Sequence, residues 1–110
     1  MRKTTPEEIA AAKSDFEQLA AAVARLRGPA AVERFLRELF TPSECVDFSK
    51  RWALMRELLA GKPQRAVARE FGMSLCKITR GAKYARDPES TFRRAVLASV
   101  REAPRPRPRG

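Results

Sequence analysis

The chain has 110 residues, 44% hydrophobic and 33% charged, with five Gly and eight Pro. That length suits one domain, and the composition is that of a globular rather than a disordered chain. No apolar run reaches the ~18 residues of a membrane-spanning helix, and the N-terminus lacks the charged-then-apolar plan of a secretory signal, so a cytoplasmic protein without membrane contacts is expected. With no His and only Cys45 and Cys76, a transition-metal site, a His-based triad and a disulfide framework are all disfavoured, and no catalytic residue is assigned.

The net charge of +10 is unevenly placed. Residues 1–61 hold ten Lys/Arg against nine Asp/Glu, whereas residues 62–110 hold thirteen against four. A near-neutral first half and a strongly basic second half suit a polyanion-binding face on a neutral scaffold. The excess between Lys62 and Arg94 survives removal of the C-terminal arginines, which favours nucleic acid over mere solubility.

Every clear signal along the chain is helical. Thr5-Pro6-Glu7-Glu8 combines a cap, Pro at the first helical position and Glu three residues after the cap. From there Ile9, Ala12, Phe16, Leu19, Val23 and Leu26 recur at alternating steps of three and four, a seam suited to lengthwise packing on another helix. A second copy could cover this seam, as could the chain itself. Gly28-Pro29 stops the helix, and a short second one carries Val32, Phe35, Leu36 and Leu39. Thr41-Pro42-Ser43-Glu44 repeats the start signal and opens a third helix to about Ala60, with an expected inner stripe of Phe48, Trp52, Met55 and Leu59. Gly61 ends it. Short helices are expected over 64–71 and 75–83, and Asp87-Pro88 is expected to start a last helix with Phe92, Val96 and Leu97. The expectation is about six helices in one all-helical domain, 1–103, followed by an extended basic Pro/Arg-rich tail, 104–110.

The segment Gln64–Lys83 has the order of a helix-turn-helix. Ala68 is small where two helices approach, and Gly72 falls where the turn needs positive φ. Val67, Phe71, Met73 and Ile78 supply an apolar underside, and Ser74 can cap the second helix. That helix turns Lys77, Thr79, Arg80 and Lys83 outward, as a helix entering the major groove would.

Here the sequence resembles the Trp repressor family over about Leu39–Phe92. The resemblance rests on Leu39-Phe40-Thr41-Pro42, Lys50-Arg51, Arg56-Glu57-Leu58-Leu59 before Gly61, Gln64-Arg65 and Ile78-Thr79-Arg80-Gly81. It implies an all-α homodimer with interlaced helices, whose helix-turn-helix heads read double-stranded DNA at a palindromic operator. The implied DNA-contacting residues are Gln64, Arg65, Leu75, Cys76, Lys77, Thr79 and Lys83, with Cys76 a small contact rather than a reactive thiol. The family's corepressor is L-tryptophan, and its pocket transfers to Thr41, Arg51, Arg80 and Gly81, with backbone from Glu38 and Phe40. Two guanidinium planes can sandwich an indole, and Arg80 with the Thr41 hydroxyl can hold a carboxylate.

Three departures stand against the family pattern. Tyr84 occupies the position of the Ser that receives the ligand's amino group, Ala82 replaces a Ser, and the Gly61-Lys62-Pro63 turn is a residue short. The expected function is therefore a DNA-binding repressor using tryptophan. The alternatives are a regulator that is ligand-independent or answers another small molecule, and a non-specific architectural or RNA-binding protein.

Overall fold

A computed structural model describes residues 4–102, so the basic tail expected over 104–110 lies outside the described residues. These residues form six α-helices and no strand: α1 Pro6–Arg25, α2 Pro29–Leu39, α3 Pro42–Leu59, α4 Gln64–Phe71, α5 Leu75–Ala85 and α6 Thr91–Glu102. The chain divides into two compact units, Met1–Cys45 and Val46–Gly110, with α3 running from the first into the second.

In the first unit the expected start and stop signals act as local chemistry requires. The Thr5 hydroxyl accepts from the Glu8 amide at 3.2 Å, with Pro6 at the first helical position of α1. Gly28, at φ +87°, makes the corner before Pro29 opens α2. Two i,i+4 pairs, Glu33–Arg37 at 2.9 Å and Arg34–Glu38 at 3.7 Å, lace the outer side of α2. Thr41 and Glu44 form a reciprocal capping box: the Thr41 hydroxyl accepts from the Glu44 amide at 3.1 Å, and the Glu44 carboxylate accepts from the Thr41 amide at 2.8 Å. Packing is another matter, because α1 and α2 contain no buried residue. Along the α1 seam Leu19, Val23 and Leu26 are half-buried, while Ile9 and Phe16 are 61% and 69% exposed.

The second unit holds the core. Leu54 of α3, Val67 of α4 and Ile78 of α5 form its centre, with Leu58, Ala68, Phe71 and Met73 packed against them. Met55, Val96 and Ala82 are also buried. Full burial of side chains such as Met55, Val67, Ile78 and Val96 stabilises by about 1.5–3 kcal/mol each. The inner stripe expected on α3 is thus corrected. Met55 is fully buried as expected and Leu59 half-buried, but Leu54 joins Met55 inside while Phe48 and Trp52 remain exposed. Trp52 instead lies against Phe92 of α6, ring centroids 6.3 Å apart and tilted by 32°.

The last helix also starts later than Asp87-Pro88 suggests. Residues 87–90 make a turn in which the Asp87 carbonyl accepts from the Ser90 amide and the Asp87 carboxylate accepts from the Glu89 amide. Ser90 is the cap of α6, its hydroxyl accepting from the Arg93 amide at 3.1 Å. An Asx-type turn competes well with a helix start at an Asp-Pro pair, and here it wins.

Candidate nucleic-acid interface

α4, its turn and α5 form the expected helix-turn-helix with nearly the expected bounds. Gly72 adopts the left-handed conformation, φ +61° and ψ +36°, and its amide bonds back to the last turn of α4. The Met73 amide bonds to the Ala68 carbonyl at 3.0 Å, closing the C-terminal turn. Ser74 then caps α5, accepting from the Lys77 amide at 3.4 Å. Val67 and Ile78 are both fully buried, so each helix is pinned by one β-branched side chain in a shared core.

This pinning decides which side chains face outward. With Ile78 and Ala82 buried, helical spacing puts Arg80 on the opposite side of α5, flanked by Cys76 and Lys83 on one side and by Lys77 and Tyr84 on the other, with Thr79 toward the edge. All six residues are exposed, and Leu75 presents an apolar side chain, 50% exposed, at the first position of the helix. On α4 Gln64 is half-buried and Arg65 exposed. Arg69 belongs beside Arg65: it lies one turn further on, is exposed, and was missed although its i,i+4 spacing was readable.

The basic excess between Lys62 and Arg94 is not all available to an external anion. Lys62 bridges Glu70 at 3.2 Å and Glu57 at 3.3 Å. Its hydrogen bonds to Glu70 and Glu57 raise its pKa above the ordinary lysine value. Arg94 binds the Pro88 carbonyl and Glu89, and Arg93 binds the Ala85 carbonyl. By contrast, the side chains of Arg65, Arg69, Lys77, Arg80 and Lys83 make no hydrogen bond or ion pair among the described residues. The cations left over are those of α4 and α5, together with Arg86 just past the end of α5.

Of the residues expected to hold a small ligand, Arg80, Gly81 and Tyr84 lie on α5 and Arg51 is exposed on α3. The Arg51 guanidinium sits over the Phe48 ring, 5.5 Å from its centroid. Tyr84 is 39% exposed. Gly81 has a packing reason of its own, because a Cβ there would stand 3.1 Å from Leu54 Cδ2 and 3.5 Å from its Cγ. Thr41 belongs to the first unit and serves in the capping box. Glu38 and Phe40, expected to offer carbonyls, lie in α2's last turn and just past it.

Among the described residues no helix is long and apolar enough to cross a membrane, and no group of three or more His, Cys, Asp or Glu could hold a metal ion.

The Trp repressor protein family matches residues 14–99, which contain α2 to α5 whole and most of α1 and α6. Proteins named Trp operon repressor homolog from Chlamydia trachomatis serovars D and A are 35% identical over 73 residues, covering 62% of this chain and 78% of theirs. The serovar L2 homolog is 33% identical over the same shares. No solved structure gives a significant match. With its helix-turn-helix and basic outer face, the chain belongs to the Trp repressor family of DNA-binding regulators, which are not enzymes.

Proposed function

We propose that the protein is a homodimeric repressor that reads a palindromic operator and takes L-tryptophan as corepressor, with residues 1–103 acting as one DNA-binding domain. The observation that carries this reading is the outer face of α5, where polar and basic side chains stand on a helix fixed by a buried Ile78. Lys77 and Lys83 supply charge, and Thr79 and Cys76 are small enough for base edges to approach. Leu75 suits a thymine methyl. Arg65, with Gln64 beside it, suits a guanine or phosphate at the start of α4, and Arg69 extends the phosphate-facing side.

Dimerisation is supported by the uncovered seam of α1. Ile9, Ala12 and Phe16 line an open apolar groove that a second copy can fill, and a two-fold pairing is the commonest closed arrangement. A helix pair with no buried residue of its own gains its core that way.

For the ligand, the retained chemistry is Arg51, Arg80 and Thr41. A Thr hydroxyl that accepts from an amide, as Thr41 does, still has its own proton to donate to a carboxylate. The second reading is a regulator independent of tryptophan. It is favoured by Tyr84, a ring on the same stripe of α5 as Arg80 that can occupy the space an indole would take. Calorimetric titration of L-tryptophan, with and without operator DNA, separates the two. The corepressor reading expects heat on binding, and operator must tighten tryptophan by the same factor by which tryptophan tightens operator. No heat would leave the ligand-independent reading, and Tyr84→Ser should then create a site.

A further inference from the structure

We propose that Arg93, outside the helix-turn-helix, is a positioning residue for DNA recognition: it ties the far end of α5 to α6 and so sets the angle at which the reading face is presented. The last carbonyls of a helix have no partner within it, and the helix dipole places negative charge there. At the end of α5 backbone amides serve two of them, Arg86 bonding to Ala82 and Asp87 to Tyr84. The Ala85 carbonyl is served by a side chain instead, the Arg93 Nε donating to it at 3.0 Å from eight residues on. A charged donor makes this roughly twice as strong as a neutral hydrogen bond.

The arginine is itself held. Ser90, 7% exposed, accepts from the Arg93 amide, so the first turn of α6 is fixed where the guanidinium departs. Arg93 is half-buried, which shields the bond from competing water. Its neighbour Arg94 is exposed and bonds only within the connecting turn and to Glu89, so it ties no second helix.

The consequence is geometric. The buried anchors of α5, Ile78 and Ala82, lie along one inner stripe and leave its last carbonyls to be held from outside the helix. Eleven residues make a rod about 16 Å long, and a 10° tilt about one end moves the other by about 3 Å, a whole hydrogen-bond length. Arg93 opposes that tilt from the end opposite the Ser74 cap. The side chain acts through α5 and is not counted among the DNA contacts.

The inference rests on the sequence-specific reading above, and its test uses the full chain. Affinity is measured for an operator selected by the wild-type protein from a random pool, and for random duplex, across a salt series. Arg93→Lys keeps the charge but loses the planar Nε donor. It should weaken operator binding about tenfold while leaving random-duplex affinity, the salt slope and Tm near wild type. Arg94→Lys should leave all four unchanged. An Arg93→Lys variant with wild-type operator affinity would overturn the proposal. So would a uniform loss on both DNAs with a lower salt slope in Arg93→Ala, which is the signature of a phosphate contact. Should Arg93→Lys lower Tm, amide exchange in α5 decides: faster exchange confined to its C-terminal turn supports the tie, and uniform loosening of the second unit overturns it. A wild-type protein that selects no sequence would instead overturn the sequence-specific reading.

Discussion

Replacing Gly81 with alanine sets two effects of similar size against each other. Gly81 lies inside α5, where Ala is favoured over Gly by about 0.8–1.0 kcal/mol in helix propensity. The new methyl, however, would stand 3.1 Å from Leu54 Cδ2, 3.5 Å from Leu54 Cγ and 3.8 Å from Leu58 Cδ1. Leu54 is 3% exposed and shares a cluster with Val67 and Ile78, so its isobutyl group has little room to retreat. Forcing a methyl into such packing costs about 1–3 kcal/mol. The clash wins, and Gly81→Ala should destabilise the protein by about 1 kcal/mol in urea denaturation with m unchanged. The same substitution in a Leu54→Ala background should reverse sign and stabilise by about 1 kcal/mol, because the propensity gain remains and the obstacle is gone. A stabilising Gly81→Ala in the wild-type background, or equal effects in the two backgrounds, would refute the packing account of this glycine.

Other outcomes follow from the same unit. Ile78→Ala, at a fully buried site, should cost about 2–5 kcal/mol by thermal or urea unfolding and lower DNA binding along with the fold. Gly72→Ala, at φ +61°, should cost about 1–2 kcal/mol, whereas alanine at an ordinary loop glycine would be neutral or stabilising. For Lys62, whose pKa is raised by Glu70 and Glu57, the contribution to stability is fully present below the ordinary lysine pKa. It is lost only as pH rises through the raised folded value. Lys62→Met should therefore be less stable than wild type by a constant margin between pH 6 and 9, and the gap should close only in strong alkali.

The helix-turn-helix was legible because its signals are local. Gly72 and Ser74 each solve a backbone problem within four residues, and Val67 and Ile78 follow from helical spacing. The caps at Thr5 and Thr41 were readable for the same reason. The inward side of α3 was legible only at Met55 and Leu59, because periodicity marks apolar stripes without saying which one its own chain covers. Phe48 and Trp52 continue a stripe as regular as that of Leu54 and Leu58, and only the packing of α4 and α5 selects the latter. Charge was legible in sum and not in use. Lys62, Arg93 and Arg94 count toward the basic half, yet each is held by groups of its own chain, two of them by carbonyls that no sequence pattern places. Of the residues expected to contact DNA, Leu75, Cys76, Lys77, Thr79 and Lys83 are exposed on α5 and Arg65 on α4, whereas Gln64 is half-buried and Arg69, one turn beyond Arg65, was passed over.

The central claim is that two copies of this head read one DNA site, and selection of bound duplexes from a random pool tests it most directly. Enrichment should return a palindrome whose half-sites are spaced by about one helical turn, ~34 Å, as two heads on a two-fold axis require. Recovery of unrelated sequences with no shared motif would contradict it and leave only a basic protein that holds phosphates.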